Sequence, residues 1–180
     1  TGNQFVSINA VSSGVPELRK LISKAQELQR SGMGRTIVFI DEIHRFNKAQ
    51  QDALLPYVED GTIILIGATT ENPFFEVNKA IISRSTVFQL YPLEKNNIKN
   101  IILNAINDKE RGYGELEISV ANDALEFIAD ASGGDARIAL NALELAVLTS
   151  SKADTNKIDI NLDIMSECVQ KKAIRFDKSG

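Results

Sequence analysis

Short apolar runs alternate with amphipathic stretches through the first half of the chain, and the alternation stops near Pro92. Gln4 to Asn9 reads as a short strand. Beyond the Ser12-Ser13-Gly14 break, Val15, Leu18, Leu21, Ile22, Ala25 and Leu28 recur at helical spacing, with Pro16 where a first helical turn tolerates proline. Thr36 to Ile40 is apolar or β-branched throughout and predicts a strand buried on both faces of a parallel sheet. Asn47, with Gln50 three residues on, has the form of a capping box and opens a helix whose buried side is Ala53, Leu54 and Val58. Asp60-Gly61 turns the chain into a strand over 62–68. A short helix over about 78–82 leads to a fourth strand, 86–90.

After Tyr91-Pro92-Leu93, read as a linker, the period is helical. Ile98, Ile101, Ile102, Ala105 and Ile106 form one stripe; Ala121, Ala124, Leu125, Ile128 and Ala129 a second; Ala136, Ala139, Leu140, Leu143, Ala146 and Val147 a third. Ile164, Met165, Cys168 and Val169 mark a shorter fourth helix. The polar stretch 150–157 reads as a loop and 174–180 as a polar tail. Two units follow, an α/β core over 1–91 and an all-α unit over 92–180.

Charge narrows the function. Over 1–91 nine Lys and Arg meet nine Asp and Glu; over 92–180 eleven meet fifteen, which accounts for the whole net charge of −4. A domain that grips duplex DNA with its own surface is usually basic, because phosphate neutralisation supplies most of the affinity. One cysteine excludes an internal disulfide, and with one histidine, His44, it cannot form a zinc site. A reducing, intracellular setting is the default expectation. No run approaches the ~20 apolar residues of a bilayer span.

Asp41 and Glu42 follow the central strand with no spacer, at the carboxyl end where open α/β sheets bind ligands. Two unpaired buried carboxylates would cost several kcal/mol, a penalty that a cation removes. This is the Walker B pattern: Asp41 for Mg²⁺ and Glu42 for the water that attacks a γ-phosphate. The bland alternative is a strand that ends in two solvated acids at a turn.

The strings Ile40-Asp41-Glu42-Ile43-His44-Arg45-Phe46-Asn47-Lys48 and Gly67-Ala68-Thr69-Thr70-Glu71-Asn72-Pro73 closely resemble the RarA/MgsA family of AAA+ ATPases, relatives of clamp-loader subunits and of the Werner-helicase-interacting protein. The resemblance covers Phe5 to Phe176. It implies that Thr70 is sensor 1, with Thr69 and Asn72 as competitors. It implies that Arg84, in Ser83-Arg84-Ser85, is an arginine finger acting on a neighbouring subunit; the family more often has cysteine where Ser85 stands. It implies that Arg137 is sensor 2, meeting the β- and γ-phosphates when a lid closes. His44 reads as a helix-entry or interface histidine, with a ligand or general-base role as the alternative. Cys168 reads as a core residue.

The same resemblance implies the fold class: a partial AAA+ P-loop-type parallel sheet, strands 2–5 of a 5-1-4-3-2 order without strand 1, followed by an all-α lid. No Gly-x-x-x-x-Gly-Lys-Ser/Thr occurs in these residues, so the chain is expected to begin inside an ATPase domain. By itself it is expected neither to bind ATP tightly nor to hydrolyse it. Segment 86–90 would then be poorly anchored, re-paired or swapped. The parent is expected to be a DNA-dependent ATPase of replication-fork maintenance and recombination, using ATP and Mg²⁺. The expected setting is cytoplasmic and nucleoid-associated. Its partners would be single-stranded, forked or gapped DNA, further copies of itself in a tetramer, and single-stranded-DNA-binding protein. A clamp-loader subunit, a RuvB-like motor and a non-catalytic adaptor are the alternatives.

Overall fold

The computed structural model describes residues 3–11, 13–150 and 157–177, with side chains through residue 169. The chain divides into two units, Thr1–Gln89 and Leu90–Gly180.

In the first unit, strands β1 (Gln4–Asn9), β2 (Thr36–Asp41) and β3 (Ile63–Gly67) form a parallel sheet in the order β1-β2-β3. Val6 pairs with Val38, Ile8 with Ile40, and Ile40 with Gly67. Helix α1 (Val15–Arg30) begins where Gly14 caps it and Glu17 accepts the Gly14 N–H, and it ends at Gly32 with φ +70°. Leu18, Leu21, Ile22 and Ala25 are its buried stripe, while Val15 at the N-terminal edge is exposed.

Both crossovers, β1 to β2 and β2 to β3, advance in the same direction along the sheet. Right-handed connections then put their helices on one face. That explains a one-sided core. Val38 and Ile40 are fully buried with Ile8, Leu18, Leu54 and Ile63, and each such side chain contributes about 1.5–3 kcal/mol of burial. Ile37 and Phe39 on the opposite face are only half-buried, Phe39 stacking on Phe5 with ring centroids 6.5 Å apart. The expectation of a β2 buried on both faces is therefore corrected.

Asn47 caps as its spacing requires: its Oδ1 accepts the Gln50 N–H at 2.9 Å and Gln50 Oε1 accepts the Asn47 N–H at 3.0 Å. The helix is not continuous, however. Pro56 lacks the N–H needed to extend it, and it divides into α2 (Lys48–Asp52) and α3 (Leu55–Glu59). Leu54 is buried as expected, Val58 half-buried and Ala53 exposed. Two short helices follow β3, α4 (Pro73–Glu76) and α5 (Lys79–Ile82).

Residues 86–90 form no strand, which corrects the fourth-strand expectation. Val87, Phe88 and Leu90 have strand-like side chains, but a strand exists only with a hydrogen-bonded neighbour, and all three are exposed. Among the described residues this sheet has three strands, not four.

The second unit holds α6 (Lys95–Asn107), β4 (Glu117–Val120), α7 (Asn122–Ala131), α8 (Ala136–Ser150), β5 (Lys157–Ile160) and α9 (Leu162–Asp177). The expected helical stripes form its core: Ile98, Ile102, Ile128, Leu143, Met165 and Cys168 are buried together. The unit is not all-α. Strands β4 and β5 pair in parallel, Ile118 with Ile158 and Val120 with Ile160. Both are four residues long and alternate outward polar with inward apolar side chains, a period-2 signal too brief to stand out among longer helical runs. α9 also extends through 174–177, where a tail was expected, and 151–156 of the expected loop lie outside the described residues.

Gly134, with φ +83°, precedes α8. A side chain there would meet Pro92 Cβ at 2.6 Å and Leu93 backbone atoms at 2.7 and 2.8 Å. Its carbonyl accepts the Leu93 N–H at 3.0 Å. No helix among the described residues is long and apolar enough to cross a membrane.

Candidate active site

The site starts from the end of β2. Asp41 is the last residue of the strand, in register with Asn9, and its carboxylate is exposed. Glu42 then leaves the sheet with φ 54° and ψ 43°, the only non-glycine residue with positive φ among those described. A left-handed glutamate costs on the order of 1 kcal/mol and persists only where its surroundings hold it. Three bonds hold it here. The Glu42 N–H donates to Asp41 Oδ1 at 3.1 Å, the Arg45 N–H donates to Glu42 O at 2.8 Å, and the Ile43 N–H donates to Ala68 O at 3.0 Å.

Gly67 makes that last contact possible. A side chain on it would come within 3.0 Å of Ile43 Cδ1, so the bare backbone of β3 lets the turn after the acids seat against the neighbouring strand end. Ala68 returns a bond to Ile40 O at 2.9 Å. Ala68 is thereby fixed against Ile40 and Ile43, on either side of the acids.

His44 lies in the 3₁₀ turn Ile43–Arg45. Its Nε2 is 3.2 Å from Glu42 Oε2, and its Nδ1 is 2.8 Å from Thr69 Oγ1. His44 lies in the turn ahead of the Asn47 cap, where a helix-entry histidine was expected, and its ring is 10% exposed and bonded on both sides within its own unit. Its spacing from Glu42 and the strand-end position of Thr69 were both visible in the sequence; the bond between strand ends was not.

The three threonine and asparagine candidates separate by what their side chains already do. Thr69 Oγ1 meets His44 and accepts the Glu71 N–H at 3.0 Å. Asn72 Oδ1 accepts the Phe74 N–H at 3.0 Å and caps α4. Thr70 is exposed, and its hydroxyl has no hydrogen-bond partner among the described residues.

Arg84 follows α5, which Asn78 caps by accepting the Ala80 N–H at 2.9 Å. Its Nη2 is 2.8 Å from Glu59 Oε1, and its Nη1 donates to Ala80 O at 3.0 Å and Ser83 Oγ at 3.1 Å. These partners do not include Asp41 or Glu42. Arg137 belongs to the second unit, in the first turn of α8; it is exposed, and its N–H donates to Asp135 Oδ1 at 2.7 Å.

Gln51 is a residue that sequence reasoning missed. On α2 and buried, it donates through Nε2 to Phe46 O at 2.9 Å and Glu76 O at 3.3 Å, and its Oε1 accepts the Asn78 N–H at 2.7 Å. It ties the turn after the acids to the segment that carries Arg84. A polar residue between two helical positions gives no such signal by itself.

The donor set suits a hard cation shared with a substrate. Asp41 offers an exposed carboxylate, and among the described residues no group of three or more His, Cys, Asp and Glu side chains is placed to hold a metal. A hard oxygen donor such as the Asp41 carboxylate is of the type that binds Mg²⁺, which takes one or two carboxylates together with substrate phosphates.

The model of the ATPase family associated with various cellular activities (AAA) matches residues 1–93, and that of an AAA C-terminal domain matches 114–180. The chain is 44% identical to the Escherichia coli K12 replication-associated recombination protein A over 173 residues, which cover 96% of the chain and 38% of that protein. The Bacillus subtilis protein of the same name is 44% identical over 180 residues, all of this chain and 42% of the relative. The ATPase WRNIP1 of Dictyostelium discoideum is 37% identical over 189 residues, covering 97% of the chain and 21% of the relative. The chain thus spans about two fifths of the bacterial relatives' length. In fold it is similar to the Thermotoga maritima RuvB Holliday junction branch migration motor (TM-score 0.63, 23% identity, 95% of this chain and 53% of that one). It is also similar to Cdc6p from Pyrobaculum aerophilum (TM-score 0.62, 17% identity, 88% and 50%).

Proposed function

We propose that this chain, which belongs to the AAA family of ATPases and within it to the RarA/MgsA group, carries the hydrolytic acids and the lid of a DNA-dependent ATPase of replication and recombination. The observation that carries the reading is the tip of β2: Asp41 and a conformationally forced Glu42 at the carboxyl end of a parallel sheet, with Thr69 tied to Glu42 through His44.

In this reading ATP is the substrate. Glu42 orients and polarises the attacking water. Asp41 is the ligand for Mg²⁺, which when bound neutralises charge on the phosphates. Thr70 is sensor 1, a role supported by its exposed, unengaged hydroxyl. Arg84 acts on the nucleotide of a neighbouring copy, where a planar and permanently charged guanidinium suits developing phosphate charge. Arg137 meets the β- and γ-phosphates and makes lid position depend on nucleotide. The order β1-β2-β3 supports assigning these strands to positions 2, 3 and 4 of the family order. The 180 residues contain no phosphate-cradling loop motif, and by themselves they are expected not to hold ATP tightly. The assembly is a homo-oligomer acting on forked, gapped or single-stranded DNA.

The test is ATP turnover by the full-length protein that contains this chain. Glu42→Gln should keep nucleotide affinity and lower turnover by about 10²-fold or more, as expected for loss of a group acting on the attacking water. Undiminished turnover would remove Glu42 from the chemistry.

A further inference from the structure

We infer that His44 and Thr69 form a relay that sets the orientation of Glu42, with His44 a positioning residue rather than a general base. The inference rests on the hydrolytic reading above and assigns a control element to the same carboxylate.

The hydrogen bonds determine how the relay is wired. Glu42 Oε2 is a carboxylate oxygen and can only accept, so His44 Nε2, 3.2 Å away, carries a proton and donates it. With that one proton on the ring, Nδ1 is the acceptor for the Thr69 hydroxyl at 2.8 Å, while the same hydroxyl oxygen accepts the Glu71 N–H at 3.0 Å. Every donor and acceptor on the ring is satisfied, in a side chain only 10% exposed. A glutamate with a free left-handed backbone would sample several rotamers. This one has an oxygen fixed by a ring that is itself fixed from β3.

Geometry also says what the relay senses. Thr69 adjoins Thr70, and both follow Ala68, whose backbone is bonded to Ile40 and Ile43 on either side of the acids. A phosphate that engages the free Thr70 hydroxyl acts on the strand end to which His44 is tied. Displacement of Thr69 then releases or redirects Glu42. Orienting partners of catalytic groups typically affect function by about 10–100-fold when removed.

The experiment uses the full-length protein and follows steady-state ATP hydrolysis and nucleotide affinity. Thr69→Val and His44→Gln should each lower kcat about tenfold or more, with KM and the nucleotide Kd changed by less than about threefold. Thr69→Ser, which keeps the hydroxyl, should restore kcat. The double variant should be no slower than the slower single variant, because both break one chain. Melting temperatures within a few degrees of the parent establish that the variants are folded; if Thr69→Val does not fold, the Thr69→Ser and His44→Gln pair carries the test. Near-parental kcat in His44→Gln, or multiplicative losses in the double variant, would overturn the relay. An unsubstituted protein that does not hydrolyse ATP would overturn the hydrolytic reading and the relay with it, whereas an active parent with insensitive variants overturns the relay alone.

Discussion

Arg84 is held by Glu59 of its own unit, Nη2 to Oε1 at 2.8 Å, while its other terminal nitrogen binds Ala80 O and Ser83 Oγ. The guanidinium is thus already oriented on the surface, and under the proposed finger role nucleotide phosphates would have to replace the Glu59 carboxylate. Both side chains are nearly half exposed, so the pair contributes between ~0 and 1 kcal/mol. Glu59→Gln should leave stability within about 0.5 kcal/mol and raise turnover of the full-length oligomer by up to about fivefold, the factor matching ~1 kcal/mol. The gain should vanish when Arg84→Ala is added. Steady-state rates of the three proteins decide it, and unchanged or lower turnover in Glu59→Gln contradicts competition.

Gln51 should be intolerant of an apolar replacement. Gln51→Leu keeps much of the volume but orphans the Asn78 N–H and removes the bonds to Phe46 O and Glu76 O. A buried group left unsatisfied costs about 1–3 kcal/mol. Urea denaturation should show a loss in that range, with reduced turnover because the acids and Arg84 lose their common tie. A loss below ~0.5 kcal/mol would place those groups in contact with water instead.

Gly134→Ala should damage the second unit. The new methyl group would lie 2.6 Å from Pro92 Cβ and 2.7 Å from Leu93 O, at a φ of +83°. Left-handed strain and the clash together should cost about 2 kcal/mol or more. Thermal unfolding tests this, and a neutral substitution would contradict the close seating of residues 92–93.

Acid should weaken both units through two turns. Hydrogen bonds from Thr62 hold Asp60 below the usual carboxylate range, and the backbone N–H groups of Arg111 and Glu110 do the same for Asp108. Groups with a depressed folded pKa contribute stability above their unfolded value, here 3.8, and lose it as pH falls through the folded value. Tyr113 has the opposite sign: burial first, then the nearby charge of Glu144, raises its pKa above 10.0, so its contribution disappears as pH rises through the folded value. Denaturation midpoints of Asp60→Asn and Asp108→Asn should accordingly depend less on pH below about 4 than those of the parent.

The sequence made the core elements legible where one physical signal dominated. The Asn47–Gln50 capping box, the Leu18–Leu21–Ile22–Ala25 stripe and the apolar run into Asp41 each formed where expected. It failed where the outcome depended on a distant partner. Segment 86–90 has strand-like side chains but no ladder, whereas Glu117–Val120 and Lys157–Ile160 look unremarkable alone and become strands by finding each other across α7 and α8. Pro56 is a local signal that outweighed the helical period around it. The position of Asp41 and Glu42 at the end of β2 was readable from their spacing. The link from Glu42 through His44 to Thr69 was not, because it joins residues 25 positions apart that only strand pairing brings together.

The proposal that one copy's Arg84 completes another copy's Glu42 site is tested most directly by mixing two inactive full-length proteins. Arg84→Ala and Glu42→Gln should each be nearly inactive alone, since an arginine finger contributes about 10³–10⁵ in rate. When mixed, an intact Glu42 from the first meets an intact Arg84 from the second, and turnover should return to a substantial fraction of the parental rate. Mixed oligomers that stay as inactive as their separate components would contradict the shared site.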